Sequence, residues 1–438
     1  MDTNAARLNF VRGKARGRAG AQPLRRLWRD QNGATATLIA FSIMALVGMA
    51  GIATETGVGY VQKRNMQGAA DAAAFGAGLA SSDGVTAYTA EAKAAASSFG
   101  FVDQAAGVTV TVNKPPTVGN FTSSANAIEV VIQKPQKRMF SALFTNAPLT
   151  IGARAVVLPS TGAPACVLAL NSGANVDLFA NGSTNVNLRG CGLAVNSSGD
   201  SALNIVGGAV INADSASVVG GVSGNGTLNT LSPVVTGASP TQDPYQDVNI
   251  PPFSGCNQSG YSQAPHSTQS FSANGGNYVF CSGLSLSAGS NLTLSNGTFI
   301  IDRGTLSLNG QASLTVSNAT VVLTSSTGMS YATVSISGGA TVTATAPTSG
   351  ALAGLAFFQD RAAPQGGSNS FAGGTTQNID GVLYFPKQAV NFAGGSTTGA
   401  GCTQIVADQV NFKGNAVLNS DCTGRNIRTI TSPPRLVE

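Results

Sequence analysis

The chain of 438 residues is long enough for two or three domains or for one long repeat array. Charged residues make up only 10% of it and glycines number 54, as in many disordered chains, but regularly spaced Val, Leu and Ile exclude general disorder. The net charge of +5 is concentrated in residues 1–33, which carry eight basic and two acidic side chains, and the remainder is nearly neutral. A basic tail of this kind does not indicate a nucleic-acid-binding surface.

Residues 34–54 form an apolar run without an ionisable side chain. As a helix, the run spans about 31 Å, close to the roughly 30 Å of a bilayer's hydrocarbon core. We predict a transmembrane helix that continues as a periplasmic helix to residue 82. Because the positive charge precedes the run, the tail at 1–33 should be cytoplasmic and the C-terminal bulk exported. A cleaved secretory signal is the alternative, but the long basic region and the continuing helical pattern favour an anchor.

The N-terminal segment combines several features in a fixed order. They are a basic stretch ending in glycine (25–33), the apolar run, Glu55, the basic pair Lys63 and Arg64, and an AADAAA run around Asp71. Together, over about 55 residues, they resemble the N-terminal segment of the TadG-like proteins of Tad (Flp) pilus systems. Pilin-type precursors of such systems carry a Glu five residues after the processed Gly, where this chain has Leu38. The resemblance therefore implies an inner-membrane-anchored assembly component rather than a processed pilin subunit.

The polar side chains of this segment are candidate partner-contact residues: Glu55, Lys63, Arg64 and Asp71. Glu55 has two interpretations, a contact with pilus machinery or an acidic group at the membrane–water boundary. Asp71 either pairs with a partner helix or is solvated. Small residues around it permit close helix packing, which points to a partner helix.

A small α+β module follows at 83–160. The pattern predicts, in order, a helix (84–100), two strands (107–113 and 127–134), a helix (135–144) that starts at a proline, and a strand (149–159). This order also agrees with what the resemblance implies.

Short apolar triplets repeat in the C-terminal two-thirds. The triplets LSL at 284, LTL at 292 and FII at 299 recur 22 residues later as LSL, LTV and VVL. Three strands per repeat with Gly, Ser and Asn turns are typical of a right-handed parallel β-helix, which we predict over 161–230 and 283–426. A β-sandwich is the alternative, but it has no reason to keep a fixed repeat. Between the two parts, 231–282 should be a Pro-rich excursion, and 427–438 a C-terminal tail.

The six cysteines are spaced at about one repeat within each successive pair: Cys166 and Cys191, Cys256 and Cys281, Cys402 and Cys422. Neighbouring layers of such a fold lie about 4.8 Å apart, within the roughly 4.4–6.8 Å between Cα atoms that a disulfide accepts. Sequential pairing would join neighbouring layers, although six cysteines allow 15 pairings. Zinc is the competing interpretation, disfavoured because the chain has a single His and no CxxC.

Catalytic groupings are not evident, and we predict no enzyme, cofactor or metal site. Lyases and hydrolases of this fold class need paired carboxylates or a calcium site. No Glu lies between Glu129 and Glu438, and the Asp residues of the repeats are scattered, mostly in or beside turn sequences. The group at 359–361 (Gln-Asp-Arg) is either a ligand-contact turn or a polar strand end, and His266 has no identifiable partner.

The predicted function is a membrane-anchored periplasmic component of a Tad (Flp)-type pilus or its secretion apparatus. The β-helix would be a spacer or docking surface. Its partners would be the membrane and Tad pilus machinery or minor pilin-like proteins. An anchored carbohydrate-binding or adhesin-like module is the alternative, which exposed aromatic rows would favour. The candidate aromatics are Phe357, Phe358, Phe371, Tyr384, Phe385, Phe392 and Phe412.

Overall fold

The computed structural model describes residues 31–159, 164–372, 374, 376–394, 397–398, 401–422, 427–430 and 433–438, so nearly all of the predicted basic tail lies outside the described residues. Strands account for 43% and helices for 16%, so the fold is mainly β. The chain divides into two units, Met1–Met66 with Gln133–Gly152 and Gln67–Ile132 with Ala153–Glu438.

The first element is α1 (Gln31–Leu79), a helix of 49 residues that passes through Gly57 without a break. A glycine costs a helix interior only about 1 kcal/mol relative to alanine, which the flanking helix formers tolerate. The large apolar side chains before Glu55 are 48–71% exposed: Leu38, Ile39, Phe41, Ile43, Met44, Leu46, Val47, Met49 and Ile52. Within the described residues, α1 is the helix long and apolar enough to cross a membrane, by length and composition.

A short 3₁₀ turn (Ala80–Asp83) connects α1 to α2 (Val85–Ser98). The alanines near the end of α1 are fully buried: Ala69, Ala70, Ala73, Ala74 and Ala77. A Cβ added at Gly76 would come within 3.3 Å of the Glu91 side chain of α2, so the two helices approach closely at this glycine. The chain's own second helix therefore occupies part of the small-residue face for which the sequence suggested an external partner.

A four-stranded sheet follows, with strand order β1-β2-β3-β28. Its strands are β1 (Thr109–Asn113), β2 (Ile128–Gln136), β3 (Leu149–Leu158) and β28 (Arg435–Leu436). The predicted helix at 135–144 is wrong, because β2 continues to Gln136 and only Ser141–Leu143 forms a 3₁₀ turn. The predicted C-terminal tail is also wrong in part, since β28 pairs antiparallel with β3.

The second sheet has 24 strands and closes on itself into a barrel-like ring. Its first strands are β4 (Ala165–Ala169), β5 (Leu178–Gly182), β6 (Asn185–Arg189), β7 (Gly192–Val195), β8 (Leu203–Gly207), β9 (Val210–Ala213), β10 (Ala216–Val218), β11 (Val222–Ser223), β12 (Thr227–Thr230) and β13 (Val235–Thr236). The others are β14 (Gln258–Ser262), β15 (Thr268–Ser272), β16 (Asn277–Leu286), β17 (Asn291–Asp302), β18 (Thr305–Leu308), β19 (Ser313–Thr324), β20 (Thr333–Ile336), β21 (Thr341–Thr345), β22 (Leu355–Gln359), β23 (Ser368–Ala372), β24 (Thr376–Ala393), β25 (Thr397–Thr398), β26 (Thr403–Lys413) and β27 (Val417–Asp421).

Strands one repeat apart pair in parallel. Each of the triplets that suggested the 22-residue repeat is in register with its copy: Leu284 with Leu306, Leu292 with Leu314, and Phe299 with Val321. Three successive strand segments therefore make one layer of the sheet, and each layer hydrogen-bonds to the next.

The layers do not follow the order of the chain. The last layer, β26 and β27, pairs with the first, β4 to β6, through registers such as Ile405 with Val167 and Leu418 with Val186. From there the first part continues outwards through β7 to β13. The first strands of the sheet, β4 to β6, therefore lie in the middle of the stack of layers. The second part of the chain begins with β14 in a different layer.

Side chains inside the ring form one apolar cluster that extends through both parts of the stack. Phe371, Phe392 and Phe412, from successive layers, stack with ring centroids 5.2 and 5.5 Å apart. The seven aromatics considered as an exposed row are all at most 1% exposed. The aromatic feature that would favour carbohydrate binding is therefore absent at these positions.

One face of the ring is also apolar on its outside. Outward residues of successive layers, including Val279, Ile300, Val322, Phe358 and Val406, are buried in a second apolar cluster. The connection from β13 to β14 covers this face and contributes Tyr245 and Val248 to the cluster, among others. Within the predicted excursion at 231–282, the longest stretch without a strand is 237–257, so the excursion is shorter than predicted: β13 precedes that connection, and β14, β15 and the start of β16 follow it.

The structure contains the disulfides Cys166–Cys191, Cys256–Cys281 and Cys402–Cys422, with Cα–Cα distances of 5.6, 5.7 and 4.5 Å. This is the sequential pairing suggested by the spacing. The first joins β4 to the start of β7 in the next layer, and the second ties the end of the 237–257 connection to β16.

Candidate functional site

The candidate site lies where α1 leaves its exposed apolar stretch, and its central residue is Glu55. The Glu55 carboxylate accepts hydrogen bonds from the backbone N–H groups of Met139 (3.3 Å), Phe140 (3.0 Å) and Ser141 (2.7 Å), and from the Ser141 hydroxyl (2.7 Å). These amides lie at the start of the 3₁₀ turn Ser141–Leu143, where the turn itself offers them no carbonyl acceptor. The Glu55 carboxylate takes the place of that acceptor. Glu55 thus holds residues 139–141 against α1.

The segment that Glu55 holds, residues 137–147, is called the α1 loop here. The Arg138 guanidinium closes the loop by donating to the Ala147 carbonyl (2.7 Å) and to the Ser141 hydroxyl (3.1 Å). The Phe140 ring lies against α1 at Gly51, where an added Cβ would meet the ring at 2.6 Å. Gly51 therefore gives the ring the space that a larger residue would take.

A groove of about 490 Å³ borders the loop. Its lining is Ile52, Glu55, Thr56, Gly59, Tyr60, Lys63, Arg138, Ser141, Leu149, Thr150, Ile151 and Gly152. The lining is mostly apolar with a few charged groups, as is common for surfaces that take an apolar partner. Two of the four candidate partner-contact residues, Glu55 and Lys63, line this groove.

The other two candidate partner-contact residues are not brought to the groove. Arg64 is exposed on α1. Asp71 accepts a hydrogen bond from the Gln67 side chain (2.8 Å), which also donates to the Arg154 carbonyl (2.8 Å). The Asp71 carboxylate therefore has a hydrogen-bond donor within the chain and does not require an external helix as its partner.

A buried ion-pair network, which the sequence did not predict, lies in the four-stranded sheet. Arg154 donates to Glu129 and to Glu438 at 2.5 Å each. The Glu129 carboxylate is fully buried and also accepts from Asn113 and Thr117. Burial opposes ionisation of Glu129, but these hydrogen bonds and the guanidinium lower its pKa to about 2. Glu129 and Glu438 thus act together with Arg154 to join β2, β3 and the C-terminal residue.

Two carboxylates meet at the junction between the last and first layers, although the sequence suggested no aligned pair of Asp. Asp177 is fully buried, and neither of its carboxylate oxygens makes a well-formed hydrogen bond. Burial and the neighbouring carboxylate of Asp408 raise the pKa of Asp177 to about 7, with partial compensation from Gln409. Because Asp177 is completely enclosed, the pair offers no access to a substrate, and its ionised form is unfavourable at the junction.

The Gln-Asp-Arg group at 359–361 holds the 237–257 connection. Arg361 donates to the Tyr245 carbonyl (2.8 Å) and also to the Val248 carbonyl. Asp360 accepts from the Thr324 hydroxyl (2.7 Å) and the Ala362 N–H (2.8 Å), which closes a turn. His266 is an exposed turn residue. Within the described residues, no group of three or more His, Cys, Asp or Glu side chains is placed to hold a metal ion.

An asparagine ladder crosses the outside of the large sheet. Side-chain amides link Asn419, Asn187, Asn212 and Asn229 of successive layers at 2.7–3.0 Å. Beside the ladder lies a polar groove of about 500 Å³ that includes Arg189.

No family model matches the chain, and no curated protein and no solved structure matches it significantly.

Proposed function

We propose that the protein is a membrane-anchored, periplasmic assembly or structural component of a Tad (Flp)-type pilus or its secretion apparatus, similar to TadG-like proteins. In this proposal α1 is a single-pass anchor with the basic tail in the cytoplasm. The large sheet is a right-handed parallel β-helix that serves as a rigid spacer or docking surface. No catalytic role is assigned.

The observation that carries the proposal is the division of α1 into two stretches with opposite surroundings. Before Glu55 its large apolar side chains are about half exposed or more, whereas near its end the alanines are fully buried. Exposed apolar surface on this scale is costly in water and is stabilised by lipid. The order of basic, apolar, acidic and alanine-rich pieces along this helix supports the TadG-like assignment.

The three disulfides support export, because such bonds persist in oxidising compartments such as the periplasm. The β-helix assignment rests on the parallel pairing of strands one repeat apart and on the single apolar core.

Gene deletion in the bacterial host, with piliation scored by electron microscopy, tests the function. We expect loss of pili, recovery with the full chain, and no recovery with a chain that lacks the large sheet. Alkaline phosphatase fused after Glu438 tests orientation and should be active. Normal pili in the deletion strain would contradict the pilus assignment, and an inactive fusion would contradict export.

A carbohydrate-binding or adhesin-like module is the second candidate, and the asparagine ladder with its polar groove is the observation that favours it. Glycan-array binding that is lost in Arg189→Ala, together with normal piliation of the deletion strain, would decide for this candidate.

A further inference from the structure

We propose that the α1 loop is a second membrane contact, which inserts into the outer interface of the bilayer that α1 crosses. This inference rests on the proposed anchor and adds a lipid-binding site that the sequence did not predict. The proposal depends on one observation: the apolar side chains of the loop lie at the end of the apolar run of α1.

The loop exposes large apolar side chains that the described part of the protein leaves uncovered. Leu143 is 83% exposed, Phe144 77%, Met139 52% and Phe140 42%. Four such residues within six positions form a contiguous apolar patch, which soluble surfaces seldom present without an occupant.

The contact at Gly51 fixes the depth of the patch. Gly51 is three residues before the end of the apolar run, which corresponds to about 4.5 Å along a helix. Phe140 packs on this glycine, so its ring lies at the level of the hydrocarbon boundary. Aromatic side chains are enriched at that level.

Backbone polar groups must be satisfied before a loop can enter this region. The N–H groups of Met139, Phe140 and Ser141 donate to Glu55, and Arg138 satisfies the Ala147 carbonyl. The same bonds compensate the carboxylate of Glu55, which would otherwise be costly beside lipid. The exposed Lys137 adjoins the patch and suits anionic lipid headgroups.

A lipid surface is the occupant that these observations favour over a protein partner. The patch continues the exposed apolar surface of α1, and Lys137 and the aromatic rings follow the arrangement of an interfacial anchor. A protein partner is retained as an outcome of the test.

Single-tryptophan variants of the full chain test the proposal. The native Trp28 is replaced by Phe, and Trp is placed at Phe144 in the loop, at Met44 in α1, or at Met329, which is 70% exposed in the connection between β19 and β20. The protein is reconstituted into phosphatidylcholine–phosphatidylglycerol vesicles with brominated acyl chains. We expect the Phe144→Trp and Met44→Trp variants to be quenched on the order of threefold more than Met329→Trp.

The three reporters separate the possible failures. Quenching of Met44→Trp without quenching of Phe144→Trp would overturn the loop insertion, leave the anchor intact and point to a protein occupant. No quenching of either would overturn the anchor and the loop insertion together.

Glu55→Ala tests whether Glu55 positions the loop. In the Phe144→Trp background it should reduce the quenching on the order of twofold or more while leaving Met44→Trp quenched, because the 139–141 amides lose their acceptor. Glu91→Ala, at an exposed Glu of α2, is the matched control and should change neither reporter. Unchanged Phe144→Trp quenching in Glu55→Ala would refute the positioning role.

Discussion

Replacing the buried carboxylate at the layer junction should remove a pH dependence of stability. The pKa of Asp177 is raised from an ordinary 3.8 to about 7 by burial and by the carboxylate of Asp408. The folded state therefore holds a proton that the unfolded state has released, and stability falls as the pH rises from about 4 to about 7. In Asp177→Asn the group no longer ionises, so this part of the pH dependence disappears.

The magnitude follows from the shift. Each pKa unit corresponds to about 1.4 kcal/mol, so the full shift corresponds to about 4 kcal/mol, and local rearrangement that admits water reduces this to about 2–4 kcal/mol. Above about pH 7 Asp177→Asn should be more stable than the wild type by this amount. Below about pH 4 the difference in stability should vanish, because the Asp177 carboxyl of the wild type is then protonated in both the folded and the unfolded state.

Denaturant midpoints of the full chain in detergent, followed by far-ultraviolet circular dichroism at about pH 5 and about pH 8, measure the effect. Asp200→Asn, at an exposed Asp in the turn between β7 and β8, is the control and should follow the wild type at both pH values. The reasoning is refuted if the wild type loses no more stability between these pH values than Asp177→Asn does.

The remaining predictions concern the Arg154 ion-pair network and one disulfide. Arg154→Met should lower the free energy of unfolding by about 3–5 kcal/mol, because it leaves the buried Glu129 without its cation. Arg64→Met, at an exposed position, should change it by less than about 0.5 kcal/mol; equal effects in thermal denaturation would contradict the network's role. Replacing Cys402 and Cys422 together by Ser should lower stability by about 2–4 kcal/mol, and peptide mapping without reductant should find this pair linked in the wild type.

The repeat of the large sheet was predictable because it is local. Strands that stack in register need similar residues at a fixed spacing, so LSL at 284 and its copy at 306 report their pairing directly. The triplets also carry a signal that was missed. Alternating triplets such as LTL have a polar outward residue, whereas FII and VVL are apolar throughout, and these lie on the face that the 237–257 connection covers.

Only the α1 side of the candidate site could be predicted from the sequence. The end of the apolar run and Glu55 are visible in the sequence, but the partners of Glu55 are 84–86 residues away, and the pattern of the segment that holds them predicts a helix. The residues MFSALF have a helical pattern, yet the amides of Met139, Phe140 and Ser141 bond to a carboxylate outside the segment. No local signal distinguishes these two outcomes.

The sequence by itself determined the apolar helix, the mainly β class, the repeat length and the spacing that allows sequential disulfides, because each depends on residues within about one repeat. Only the tertiary structure decided that the last layer pairs with the first, which brings Asp177 and Asp408 together across 231 positions. Nothing near either Asp encodes that contact. It arises because strand edges of similar pattern can pair with any layer. The long connection allows a layer to pair with another that is distant in sequence.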